Sequence, residues 1–335
     1  MYDIAFVVGD IGGALELLFV AECLAREDRK EKVWIKWLAD PDGQAKDELR
    51  KRGVAFSFTA PGALTEEIDV VVYGVSSTAA YYTNDWIRWA QDNQIPVIGV
   101  QDFFGTGNAS LKVVAPNVLC VINEAAAKMV RNIYPDPKLM IEVTGKPRAA
   151  AAWTTLIRLR DGISERLRWL LAVPSDNLLA VYWSDGNPAR IEEQLHALVA
   201  VSPDKIHWVN WVCRFHPKLL DEESPDHLVI AADLNICSGE AVESLLSVLA
   251  DRPTIIIGDC PNGVLPHIAT ELAVPASSID RLKELLVIIR ARDWENLQDF
   301  TPSRRSSSHG EFCRQIVDSN ATRRVAEIIL AKCRC

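Results

Sequence analysis

Short runs of β-branched and other apolar residues alternate along the whole chain with longer stretches whose apolar residues recur at helical spacing. That alternation is the pattern of parallel sheets covered by helices, so the fold class is α/β. Residues 3–8 (DIAFVV) predict a strand, 14–26 a helix with Leu17, Leu18, Ala21 and Leu24 on one face, and 33–38 the next strand. Buried runs at 70–73, 97–100, 118–122 and 140–143, with a helix over 81–92, complete a doubly wound unit that closes near residue 145. A second series predicts strands at 178–183, 206–213, 228–230, 235–237 and 254–258, with helices over 189–201 and 241–250. At 335 residues the chain has room for about two domains. The expected division is an N-terminal domain over 1–150, a C-terminal domain over 151–314 opened by a connector helix at 151–175, and a C-terminal helix at 315–335. That last helix has the N-terminal domain as a candidate packing partner. Residues 301–309 (TPSRRSSSH) predict a mobile, basic surface loop before a final helix at 315–331.

Composition narrows the function classes. With 49% hydrophobic residues the chain can fill sizeable cores. A net charge of −9 argues against a general affinity for phosphate backbones, so no specific nucleic-acid binding is expected. No run approaches the roughly 20 apolar residues that cross a bilayer. The start, MYDIAFVVGDIGG, carries no basic leader. Eight scattered cysteines without a CxxC pair fit reduced thiols, and the expectation is a cytoplasmic protein.

Ligands of open parallel sheets bind beyond the carboxyl ends of the strands, which directs attention to five post-strand loops. Gly9-Asp10-Ile11-Gly12-Gly13 follows the first strand; its glycines allow close approach of the main chain, and a mere turn does not require Asp10. It does not match GxGxxG, which disfavours a dinucleotide site. Gln101-Asp102-Phe103-Phe104-Gly105 combines an acid, an amide and two aromatics. Val143-Thr144-Gly145-Lys146-Pro147-Arg148 reads as a linker with solvated charges. Cys213-Arg214-Phe215-His216-Pro217-Lys218 sets a histidine between two cations, a grouping that can hydrogen-bond phosphate. In Asn235-Ile236-Cys237-Ser238-Gly239-Glu240-Ala241-Val242-Glu243, a strand turns through Ser-Gly into a helix. There Ser238 is either a ligand contact or an ordinary N-cap, and Glu243 can reach a ribose diol.

Taken in order, the Gly-rich first loop, VTGxPR, RFHPK and the strand-SGEAVESLLSVLADRPTI unit resemble the GT-B glycosyltransferase superfamily. Its relatives include the non-hydrolysing UDP-N-acetylglucosamine 2-epimerases. The resemblance implies two Rossmann-like domains facing across a cleft, with the nucleotide-sugar donor on the C-terminal domain. Ser238, Gly239 and Glu240 would border the diphosphate and Glu243 the ribose, while His216 would be catalytic by stabilising the leaving diphosphate, with Arg214 and Lys218 contacting the phosphates. Asp10, or as second choice Asp102, would be the catalytic base, with Gly12 and Gly13 shaping the Asp10 loop and Gln101 and Asp102 contacting substrate. The implied activity is transfer of a sugar to a glycan, lipid-linked or small-molecule acceptor, with neither a cofactor nor a metal. A 2-epimerase or hydrolase acting on the same donor is the alternative, and the acidic and basic cluster of the epimerases is not found here. A third reading is a non-catalytic binding protein of the same fold.

Overall fold

The structure, a computed structural model, describes residues 1–26, 32–64, 67–75, 79–105, 111–149, 160–175, 178–183, 209–214, 225–238, 241, 243–258, 265–291 and 300–333. The chain divides into two compact units, Met1–Trp153 with Arg314–Cys335, and Thr154–Cys313.

The first unit is built on strands β1 (Tyr2–Val8), β2 (Val33–Ala39), β3 (Val70–Gly74), β4 (Val97–Val100), β5 (Val118–Val121) and β6 (Met140–Val143). They form one parallel sheet in the order β2-β1-β3-β4-β5-β6. Ser57 adds a single parallel bridge to Leu38 on the outer side of β2, and counting it as a strand gives the order 3-2-1-4-5-6-7, the Rossmann progression extended by one strand. Strands β3, β4 and β5 are buried throughout, which explains their continuous apolar sequences: helices cover both faces of such a sheet. The helices are α1 (Ile11–Leu24), α2 (Ala45–Lys51), α3 (Ala80–Asp92) and α4 (Glu124–Ile133).

Helix α1 is apolar on almost every side because it is buried on two sides. It shares one core with Phe6, Val8, Val72 and Ile98 of the sheet and with Val325, Ala326, Ile329 and Leu330 of the C-terminal helix.

The second unit holds β7 (Leu178–Trp183), β8 (Val209–Arg214), β9 (Leu234–Ser238), β10 (Thr254–Ile257) and β11 (Val274–Ala276), all parallel, in the order β11-β10-β9-β7-β8. Its helices are α5 (Arg160–Leu170), α6 (Pro225–Ala231), α7 (Glu243–Leu249), α8 (Pro266–Ala269), α9 (Ile279–Ala291), α10 (Pro302–Arg305) and most of α11 (His309–Ile316). Helix α12 (Ala321–Cys333) returns the chain to the first unit.

Three expectations are corrected. Residues 228–230, read as a strand, lie in α6. A short, fully buried apolar run does not distinguish helix from strand, but successive parallel strands of one sheet need a crossover connection, and α6 lies in the one from β8 to β9, which flank β7. Residues 301–309, read as a mobile, basic surface loop, contain α10; Pro302 starts the helix, and Ser303 donates to Asp251 from its amide at 2.8 Å and its hydroxyl at 2.6 Å. The final helix at 315–331 is in fact two helices, α11 and α12. A turn at Asp318 separates them, and there Arg324 pairs with the carboxylate at 2.6 Å. The expected helix at 189–201 lies outside the described residues.

Candidate functional site

In the first unit the carboxyl ends of β1, β3 and β4 meet the first turn of α1. Asp10 is the N-cap of that helix: its backbone is extended and its Oδ1 accepts the Gly13 amide at 2.8 Å. The aspartate that a simple turn would not require is therefore, at the least, a helix cap. Gly12 and Gly13 are needed for close approach. A Cβ on Gly12 would fall 2.0 Å from Asp102 Oδ2, and one on Gly13 would fall 2.9 Å from the Gly74 Cα. The carboxylate of Asp102, which follows β4, thus lies over the helical turn that Asp10 caps. Gln101, 1% exposed, fixes the start of the same loop through its amide, which donates to the Cys120 carbonyl at 3.0 Å. The fold brings Asp10, Gly12, Gly13 and Asp102 together, although the two carboxylates are 92 positions apart in sequence.

Beneath this turn lies a feature that the sequence reading missed. Lys146, taken for a solvated linker charge, is 1% exposed. Its Nζ is 2.5 Å from Glu16 Oε1 and also donates to the Asp102 carbonyl, while Glu16 Oε2 accepts the Arg148 amide at 2.8 Å. One signal was available: Glu16 is the single charge among the Leu, Ala and Val residues of ALELLFVA. At the end of β2, buried Asp40 accepts the Tyr81 hydroxyl at 2.7 Å, and this bond is the main cause of a phenol pKa pushed up to about 12.

In the second unit the strand order reverses between β7 and β9, and this is the switch point at which open sheets bind ligands. Ser238 ends β9 there. It is 1% exposed, and its Oγ has no hydrogen-bond partner among the described residues. The helix beyond it begins at Glu243 rather than at residue 241, so Ser238 does not serve as its cap; its carbonyl accepts the Ala241 amide at 2.9 Å. The Glu243 side chain is half-buried. Burial, with a smaller contribution from Glu243, drives the Cys237 thiol well above its ordinary range, so that cysteine stays protonated. Behind the strand end, Trp183 Nε1 donates to Asn235 Oδ1 at 2.8 Å, and Asn235 Nδ2 donates to the Val229 carbonyl, linking β7, β9 and α6. Arg214 is the last residue of β8, in register with Trp183. His216, Lys218, Gly239 and Glu240 lie outside the described residues.

No protein-family model matches the chain, and no curated protein matches it in sequence. Solved structures do match in fold. The S. aureus MnaA–UDP complex has a TM-score of 0.69 at 12% identity, covering 99% of this chain and 96% of that one. A UDP-GlcNAc 2-epimerase from Neisseria meningitidis, bound to UDP-GlcNAc, has a TM-score of 0.60 at 11% identity, covering 98% and 100%. MurG from Acinetobacter baumannii has a TM-score of 0.57 at 16% identity, covering 99% and 100%. The fold of this chain is of the GT-B type, shared with these structures over 98–99% of its length.

Proposed function

We propose that this chain is a glycosyltransferase that moves a sugar from a nucleotide diphosphate donor to an acceptor hydroxyl. The supporting observation is that each sheet carries candidate groups at its carboxyl edge. Ser238 and Glu243 stand at the switch point of one sheet, and Asp10 and Asp102 at the carboxyl edge of the other, in a chain with the fold of UDP-bound proteins.

The chemistry follows from charge. As the anomeric bond breaks, negative charge accumulates on the leaving nucleotide. In this reading the Ser238 hydroxyl and the main chain at Gly239 and Glu240 meet that charge, together with Arg214, His216 and Lys218, in place of a metal ion. Glu243 accepts from the ribose hydroxyls. Asp10 takes the acceptor proton, with Asp102 as the second carboxylate of the turn.

The alternative is an epimerase or hydrolase acting on the same donor, and it is favoured by the likeness to the Neisseria epimerase. Labelled UDP-N-acetylglucosamine incubated without an acceptor separates the two. A transferase leaves the donor intact until an acceptor is supplied, whereas conversion to an epimer or free sugar would replace this reading with the alternative. Under the metal-free mechanism, EDTA leaves the transfer rate unchanged; abolition by EDTA and recovery on adding Mg²⁺ would contradict it.

A further inference from the structure

The Glu16–Lys146 pair is the most fully buried ion pair among the described residues, at 1% side-chain exposure for each partner. Folding alone does not account for it, because an apolar pair of similar volume commonly serves stability as well or better. What the pair supplies is geometry. Glu16 lies on α1 one turn after Gly12, Lys146 follows β6, and the Lys146 ammonium also binds the main-chain carbonyl of Asp102 after β4. The Arg148 amide closes the arrangement on Glu16 Oε2. Three separate segments, helix α1 and the loops after β4 and β6, are therefore tied together by two charged groups. The residue held by its main chain is the one whose carboxylate lies against Gly12.

We infer that Glu16 and Lys146 are positioning residues: they fix the Asp102 main chain so that its carboxylate stays over the turn capped by Asp10. This inference rests on the transferase reading and deepens it by assigning the rigidity of the acceptor-side carboxylates to a buried strut. Displacing a reacting group by about 1 Å costs up to roughly a hundredfold in rate.

The test uses the full chain and two measurements. Lys146→Met alone would strand the Glu16 charge and risks misfolding, so the variant is the double substitution Glu16→Leu with Lys146→Met, neutral and of similar volume. Hydrogen exchange at the amides of residues 102–105 is expected to accelerate at least about tenfold in the double variant while β4 and α1 keep their protection. Unchanged exchange there overturns the strut, whatever the activity. In assays with UDP-, GDP-, CDP- and dTDP-linked sugars and a small-molecule extract as acceptor source, kcat is expected to fall roughly ten- to a hundredfold, with the donor KM unchanged. An unaltered kcat, or a fall matched by a rise in KM, overturns the positioning role. A wild-type protein inactive on every donor overturns the transferase reading instead, and the exchange measurement still decides whether the pair anchors the loop.

Discussion

Asp10 carries two assignments that one substitution separates. Asn retains an oxygen for the Gly13 amide, so Asp10→Asn preserves the helix cap but loses the basic carboxylate. The expected result is a melting temperature close to wild type, unchanged nucleotide affinity and a transfer rate lower by about 10² or more. Near wild-type turnover would leave Asp10 as a cap only and make Asp102→Asn the next test. His267 shows the opposite environment. It is fully buried, its Nε2 lies 3.1 Å from Ser244 Oγ, and burial pushes its pKa down to about 3. Below the unfolded-state value near 6.5 the unfolded chain takes up a proton that the folded chain refuses. Stability is therefore full above pH 6.5 and falls on acidification through the window down to about 3, with a slope approaching about 1.4 kcal/mol per pH unit. Denaturant midpoints measured between pH 5 and 7 should show this slope in the wild type and a shallower one in His267→Gln. Identical slopes would assign the acid sensitivity to other groups.

At the scale of elements, the strands were the most legible part. Runs such as VVVYG and LLAVYW are buried on both faces, and the sequence needs nothing but apolar residues to mark them. Helix 225–231 was not legible, because LVIA is as apolar as a strand and only the topology requires a crossover there. The loops at the carboxyl ends of β1, β4 and β9 could be read as candidate sites, since Gly, Asp and Ser after a strand are local signals. The Glu16–Lys146 pair could not, because 130 positions separate its members; the lone charge in ALELLFVA marks Glu16 but nothing local names its partner. Gly13 carries a prediction of its own. A Cβ there would fall within 2.9–3.2 Å of the Gly74 main chain, which cannot swing aside as a side chain can. Gly13→Ala should therefore destabilise the protein by about 1–3 kcal/mol, read as a lower denaturant midpoint at constant slope. Unaltered stability would mean that α1 and β3 separate more readily than their packing suggests.

Over the whole molecule, two parallel sheets of different order carry different groups at their carboxyl edges: carboxylates on the first, and a buried serine with a flanking glutamate on the second. Fold was legible at this scale because the alternation of strands and helices runs the length of the chain. Donor and acceptor were not, because a base or sugar is recognised largely through main-chain groups that leave little trace in side-chain identity. The same physics makes nucleotide binding the most direct test. A ligand selective for the folded state, present at 100 times its Kd, stabilises by about 2.7 kcal/mol, well within reach of a thermal melt. We predict that one of UDP, GDP, CDP and dTDP raises the melting temperature of the wild-type chain. In Glu243→Ala that shift should shrink, while any shift produced by pyrophosphate should be retained. If none of the four at millimolar concentration moves the melt, or if Glu243→Ala responds as the wild type does, the nucleotide site assigned to the second unit is wrong.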